Sequence, residues 1–209
     1  MTAAPRFAGA VLCGGASRRM GADKALLELD GRALARRVAD ALQQAGADPV
    51  VAIGGDARRL REWGLHVVPD DHPGEGPLGG VLTALGALAE AEAEVVVVLA
   101  CDLLHPSPDA IRAVVDPLVP PTGGDGPSDA GPVPDVAVPV LDGRPQFHHA
   151  AWRTTAAPAL RAQFDAGERS LRGAVAGLRV ALVERVDPAA LADADDPASV
   201  AAARRHPRG

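Results

Sequence analysis

The chain has no tyrosine, two tryptophans and three phenylalanines in 209 residues. A surface for stacking the bases of single-stranded nucleic acid needs aromatic platforms, and these are too few to build one. Two cysteines, Cys13 and Cys101, cannot form a disulfide framework. Free thiols beside strand ends suit a reducing cytoplasm, which is the expected setting. No apolar run reaches the roughly 18 residues of a membrane-spanning helix. The apolar stretch at the amino terminus is too short for a signal peptide. Net positive charge is also missing: 21 Lys and Arg stand against 27 Asp and Glu, for a formal charge of −6. Such a chain is a poor partner for nucleic acid or an anionic membrane. What the chain does have is Ala, Val and Leu for a core, and enough length to bury one.

Apolar runs alternate with helical patterns through the first 118 residues. Strands are expected at 7–13, 48–55, 65–71 and 94–101, and helices at 32–46, 56–64, 78–91 and 107–118. Ser107 stands as helix cap, with Pro108 at the first helical position. The run 120–134 is rich in proline and glycine and reads as a flexible loop. Strands then return at 135–141, 145–152 and 179–186. Helices follow at 154–166, 170–178 and 196–205, the last capped by Asp196. This predicts an α/β chain of three layers, Rossmann-like, with a mainly parallel sheet. It is expected to be one domain over 1–209, with one part at 1–118 and another at 135–209 on either side of that loop. In open sheets of this kind ligands bind beyond the carboxyl ends of the strands. Gly14–Lys24, Gly54–Gly55, Asp70–Gly80 and Asp102 all fall there.

Positive charge is concentrated in one of these places, "LCGGASRRMGADKALLELDG" at 12–31. Gly14 and Gly15 let backbone N–H groups approach an anion without a Cβ in the way. Ser17 adds a hydroxyl, Arg19 a planar fork for phosphate oxygens, and Lys24 a mobile point charge. The set suits a triphosphate or pyrophosphate. It is not a Walker loop, because Gly21 is followed by Ala22 and Asp23. Nor does it supply the G-x-G-x-x-G of dinucleotide folds. Further on, a glycine-rich helix start at Gly76–Pro77–Leu78–Gly79 offers free N–H groups. Asp70 or the adjacent Asp71 offers an acceptor for a base or ribose. Asp102, directly after a buried strand, offers a carboxylate to a hard cation.

The run from Leu12 to Lys24 resembles the signature of the molybdenum cofactor guanylyltransferases, L-x-G-G-x-S-x-R-M-G-x-D-K, with Gly31 closing a following L-x-x-x-G. The resemblance implies the nucleotide-diphospho-sugar transferase type of fold, with a nucleotide-binding part at 1–118 and an acceptor-binding part at 135–209. It also implies transfer of GMP from GTP to the phosphate of molybdenum-molybdopterin, with release of pyrophosphate. Arg19, Lys24 and Asp102 take catalytic places, with Asp102 on Mg²⁺. Leu12, Cys13, Gly14, Gly15, Ser17, Lys24, Asp70, Gly76, Pro77, Leu78, Gly79 and Asp102 take nucleotide-binding ones. On the acceptor side, Arg144 and Gln146 fall on a family G-R-x-Q run and Arg169 and Ser170 on a G-x-R-S-L run. Asp193 and Asp195 replace the asparagines of an N-x-N-T-P segment. Neighbouring His148 and His149 point to opposite faces of a strand and are expected to meet solvent or acceptor. The resemblance further implies transient contact with proteins that assemble molybdoenzymes. Use of CTP, a different small phosphorylated acceptor and a non-catalytic nucleotide-binding role are the alternative readings. The run "AIGG" at 52–55 stands where guanylyltransferases often carry asparagine.

Overall fold

The computed structural model of the chain describes residues 6–14, 23–119, 131–194, 199–201 and 203. In chain order the first elements are β1 (Phe7–Leu12), β2 (Glu28–Leu29), β3 (Arg32–Ala33), α1 (Leu34–Ala45), β4 (Ala47–Ile53), α2 (Ala57–Glu62), β5 (Val67–Val68) and α3 (Pro77–Ala87). There follow β6 (Val95–Ala100), α4 (Pro108–Val115), β7 (Val136–Leu141), β8 (Arg144–Pro145), β9 (His149–Arg153), α5 (Ala157–Asp165), α6 (Leu171–Ala174) and β10 (Val180–Val183).

Period-two alternation explains why the central strands are apolar throughout. In β1, Phe7 and Val11 enter the core on one face while Ala8 and Ala10 enter the core on the other. In β6, Val95, Val97 and Leu99 take the first face, and Val96 and Val98 the second. A strand covered on both sides has no polar face to alternate with. Val38 and Leu42 of α1 and Ile111 and Val114 of α4 close the first core. Leu78 and Val81 of α3, Leu160 of α5 and Leu171 of α6 close the second. The result is the three-layer arrangement the alternation predicts.

The sheet runs β10-β7-β9-β6-β1-β4-β5, with β8 paired to β7. The pairs β6·β1, β1·β4, β4·β5 and β7·β10 are parallel. The antiparallel β9 lies between β6 and β7. The strands that carry the motifs therefore end on one edge: β1 before Cys13, β4 before Gly54, β5 before Asp70 and β6 before Asp102. No helix among the described residues is long and apolar enough to cross a membrane.

Several expectations need correction. The single strand expected at 145–152 is two, β8 and β9, separated by a turn. Residues 28–33, outside any expected strand, form a small hairpin whose turn places Asp30 and Gly31 at φ +54° and +73°. The helix expected at 170–178 shrinks to Leu171–Ala174, and Gly177 beyond it adopts φ +88°. The loop at 120–130 and the cap of the last helix at Asp196 lie outside the described residues.

Asp135 joins the outer strands. It accepts from the Arg179 backbone N–H at 3.0 Å, from Nε at 3.0 Å and from a terminal guanidinium nitrogen at 2.7 Å. These hydrogen bonds hold its carboxyl below the usual carboxylate range. A carboxylate whose pKa falls on folding contributes stability above its unfolded pKa, and that stability is lost as pH falls through the folded value. Asp135→Asn should lower the thermal midpoint by a few degrees at pH 7. The difference from the parent should shrink as pH falls below the ordinary aspartate range. A denaturation series by circular dichroism checks both.

Candidate active site at the strand ends

The residues after β1 are held by the neighbouring strands. The Cys13 and Gly14 N–H groups both donate to the Ile53 carbonyl, at 2.9 and 3.2 Å, and the Cys101 N–H donates to the Leu12 carbonyl at 3.2 Å. A cavity of about 520 Å³ opens over these ends. Its wall includes Leu12, Cys13, Gly14, Lys24 and Asp102 from the β1 and β6 ends, and Asp70, Gly76 and Pro77 from the loop that leads into α3. Asp193 from the carboxyl-terminal part completes it.

Lys24 and Asp102 meet on its wall, Nζ to Oδ2 at 2.8 Å, both largely buried. Asp23 sets the direction of Lys24. Its Oδ1 accepts from the Ala25 N–H at 3.1 Å and caps the single 3-10 turn Lys24–Leu26, whose Ala25 and Leu26 are buried. Asp23 itself lines the cavity. The signal for it was in the sequence, an aspartate directly before a short apolar-anchored turn, but the motif drew attention to the lysine instead.

Asp102 is fixed from the far side. The Ala194 N–H donates to the Asp102 carbonyl at 2.8 Å, the Leu104 N–H to the Ala192 carbonyl at 2.9 Å, and Leu103 bridges Asp193 in antiparallel fashion. Asp102 and Asp193, 91 positions apart, are thereby strapped together on one wall. Among the described residues no three His, Cys, Asp or Glu side chains converge as a closed metal cage. One or two carboxylates completed by substrate phosphates is the usual arrangement for Mg²⁺.

Asp70, rather than Asp71, lines the cavity. Its Oδ1 accepts from the His72 N–H at 3.0 Å and lies 3.1 Å from the Thr83 hydroxyl. That hydroxyl also lies 3.0 Å from the Gly79 carbonyl, so one proton serves two acceptors, and its oxygen accepts from the Asp71 N–H at 3.2 Å. Thr83 is buried, and sequence reading missed it because a threonine inside an apolar helix carries no motif. Thr83→Val keeps the shape but orphans the Asp71 N–H and loosens Asp70. It should cost about 1–2 kcal/mol of stability in a urea titration.

The start of α3 is shaped by Arg169. Gly76 sits at φ +87°, where a Cβ would lie 2.9 Å from the Arg169 carbonyl. The Leu78 N–H donates to that same carbonyl at 3.2 Å. The Arg169 guanidinium pairs with Glu75 at 2.9 Å and lies 4.0 Å from the Phe164 ring centroid. Arg169 is thus tied to the glycine turn and does not line the cavity. Ser170 is the cap of α6, accepting from the Gly173 N–H at 3.1 Å. Arg144 and Gln146 sit on the β8 turn away from the cavity, with the Gln146 side-chain amide donating to the Arg144 carbonyl at 3.0 Å. Leu78 and Gly79 are buried in the packing beneath it. Gly15, Ser17, Arg19 and Asp195 lie outside the described residues.

The histidine pair divides as strand geometry demands, but only one member reaches the cavity. His148 lines it, and desolvation lowers its pKa, with the neighbouring His149 adding to the shift. His149, expected to meet solvent or acceptor, is instead buried as the first residue of β9, because its alternate side of the sheet is covered by packing around Leu103 and Ile111. Its Nε2 lies 3.2 Å from Asp193 Oδ1, close enough for an ion pair but not aligned as a hydrogen bond. Cys13 and Cys101 are free thiols. The hydrogen bond that the Cys101 thiol donates to Cys13, then burial, pushes it well above the usual thiol range.

Residues 9–186 match the sequence profile of the MobA-like NTP transferase domain family. A probable molybdenum cofactor guanylyltransferase of Opitutus terrae is 48% identical over 100 residues, covering 48% of this chain and 50% of that protein. A molybdenum cofactor guanylyltransferase of Cereibacter sphaeroides is 42% identical over 98 residues, covering 46% of this chain and 50% of that protein. The chain spans about half the length of the curated relatives it matches. Among solved structures, molybdopterin-guanine dinucleotide biosynthesis protein A of Archaeoglobus fulgidus superposes with a TM-score of 0.71 at 21% identity, over 94% of this chain and 96% of that one. A 4-diphosphocytidyl-2C-methyl-D-erythritol synthase of Anaerococcus prevotii gives 0.71 at 10% identity, over 96% and 95%. At these identities the two structures share the fold.

Proposed function

Since the chain belongs to the family of MobA-like NTP transferase domains, we propose that it transfers GMP from GTP to the phosphate of molybdenum-molybdopterin, releasing pyrophosphate. The observation that carries this reading is the Lys24–Asp102 pair, 2.8 Å apart on the wall of one cavity at the ends of β1 and β6.

An acceptor phosphate oxygen attacks the α-phosphorus in line. One P–O bond forms, the bond between the α-phosphorus and the bridging oxygen breaks, and that oxygen leaves with the pyrophosphate. The phosphate is already an anionic nucleophile, so no strong general base is needed. This chain's part is to position and to neutralise. The Gly14 and Gly15 backbone and the Ser17 hydroxyl hold the nucleotide phosphates. Lys24, with Arg19, meets the charge that builds on the departing pyrophosphate. Asp70 and the Gly76–Pro77 helix start hold the nucleoside. Asp102 would hold Mg²⁺, which when bound would withdraw charge from the phosphates.

Asp193, which lines the cavity, and Asp195 are assigned to the acceptor. Arg169 and Ser170 act by fixing the glycine turn and α6, and Arg144 and Gln146 belong to the outer acceptor region. A cytoplasmic setting and transient contact with molybdoenzyme assembly proteins belong to the same reading. A pyrophosphate-release assay with molybdopterin and Mg²⁺, run in parallel with GTP, CTP and ATP, tests it. Release with GTP is expected. Release with CTP alone would move the chain to a cytidylyl reaction.

A further inference from the structure

A second cavity, of about 320 Å³, adjoins the first and shares Gly14, Asp70 and Gly74 with it. The two differ in chemistry. The first carries Lys24, Asp23, Asp102 and Asp193. In the second only Arg61 and Asp70 are charged, and the other lining residues are glycine, proline, alanine and valine. A polyphosphate and its metal belong where the charges cluster. A flat, weakly polar base belongs against a small-residue floor with one polar group at each edge. Gly54 keeps that floor thin, since a Cβ there would meet Gly14 Cα at 3.3 Å and Asp70 Cβ at 3.4 Å.

The two edge groups are complementary in kind. Asp70 spends Oδ1 on His72 and Thr83, and Oδ2 accepts no hydrogen bond among the described residues. Arg61, in the last turn of α2, is exposed and has no hydrogen-bond or ion-pair partner among the described residues. Its neighbour Arg58, by contrast, pairs with Glu62 at 2.9 Å. An unpaired guanidinium at the rim of a neutral, glycine-floored cavity is a donor fork without an acceptor.

We propose that Arg61 is the residue that selects guanine, donating to O6 and N7 while Asp70 Oδ2 accepts from the N1–H and N2 amino groups. Adenine places an amino group where O6 would be and turns a donor toward Arg61. Cytosine has no five-membered ring and no N7. Gly54 and Gly55 then leave base reading to a side chain arriving from α2. This inference rests on the nucleotidyl transfer proposed above and adds the residue that sets its base.

Calorimetric titration of GTP, ATP and CTP, each with Mg²⁺, into the full chain and its Arg61→Ala and Arg61→Lys variants tests it. The parent should prefer GTP. Arg61→Ala should weaken GTP binding by about tenfold to a hundredfold, the range for losing one bidentate arginine–guanine contact. It should leave ATP and CTP nearly unchanged, so that the preference collapses. Arg61→Lys, with a point charge in place of the fork, should recover only part of it. Unliganded variants should keep the parent's thermal midpoint, since Arg61 holds no partner. An unaltered GTP preference in Arg61→Ala overturns the proposal. So does an equal loss for all three nucleotides, which would put Arg61 on the phosphates. A parent that binds all three alike overturns this inference and leaves the transfer reading standing. A parent that binds none overturns both.

Discussion

Lys24→Met should reduce turnover by about 10²-fold or more, the cost of removing one preorganised charge partner from a transition state. Methionine keeps an unbranched apolar stem one atom shorter, so the buried Ala25 and Leu26 that anchor the turn are undisturbed. What disappears is the positive charge that sits 2.8 Å from Asp102. The loss should fall on kcat more than on the KM for GTP, because charge on the pyrophosphate grows as its bond to the α-phosphorus breaks. Lys24→Arg, which keeps the charge in a different geometry, should recover part of the rate. Initial-rate kinetics on variants with parent-like circular dichroism decide this. A parent-like kcat in Lys24→Met would remove Lys24 from the reaction.

The second large effect belongs to Asp102. Asp102→Asn leaves the backbone strap intact, since the Ala194 N–H donates to the Asp102 carbonyl and not to its side chain. It removes the charge that would hold Mg²⁺ and leaves Lys24 facing a neutral amide. We expect a loss of about 10²-fold in rate at ordinary Mg²⁺ concentration, on the scale of losing one preorganised electrostatic partner. Raising the metal concentration should recover part of that rate. Mn²⁺ binding followed by electron paramagnetic resonance reads the same change without turnover and should weaken in the variant. An unaltered metal dependence would place the ion elsewhere.

The layers of this fold were legible because both faces of β1 and β6 are covered, and that leaves uninterrupted apolar runs. The place of β9 was not. Periodicity shows that a strand exists but not which strand it pairs with, and an antiparallel strand between β6 and β7 depends on contacts far apart in the chain. The hairpin of β2 and β3 was legible in principle, since Asp30–Gly31 is a turn pair that takes positive φ readily. It was overshadowed by the motif in which it sits.

The same division holds at the site. Lys24, Asp70 and Asp102 come from local patterns at strand ends and line one cavity. Thr83, Asp23 and the strap from Ala192 to Ala194 act through hydrogen bonds that no spacing encodes. Arg169 and Ser170 illustrate the reverse. Their motif was visible, but their work is to shape the Gly76 turn and cap α6, and only three-dimensional packing reveals this.

The central claim is that the bond broken is the one between the α- and β-phosphates of GTP. Incubating the chain with molybdopterin, Mg²⁺ and GTP labelled either at the α- or at the γ-phosphate, then separating acceptor from pyrophosphate, tests it most directly. The account predicts α-label in the acceptor and γ-label in released pyrophosphate. Label from the γ-position in the acceptor, or γ-label released as inorganic phosphate with none of the α-label transferred, would contradict it.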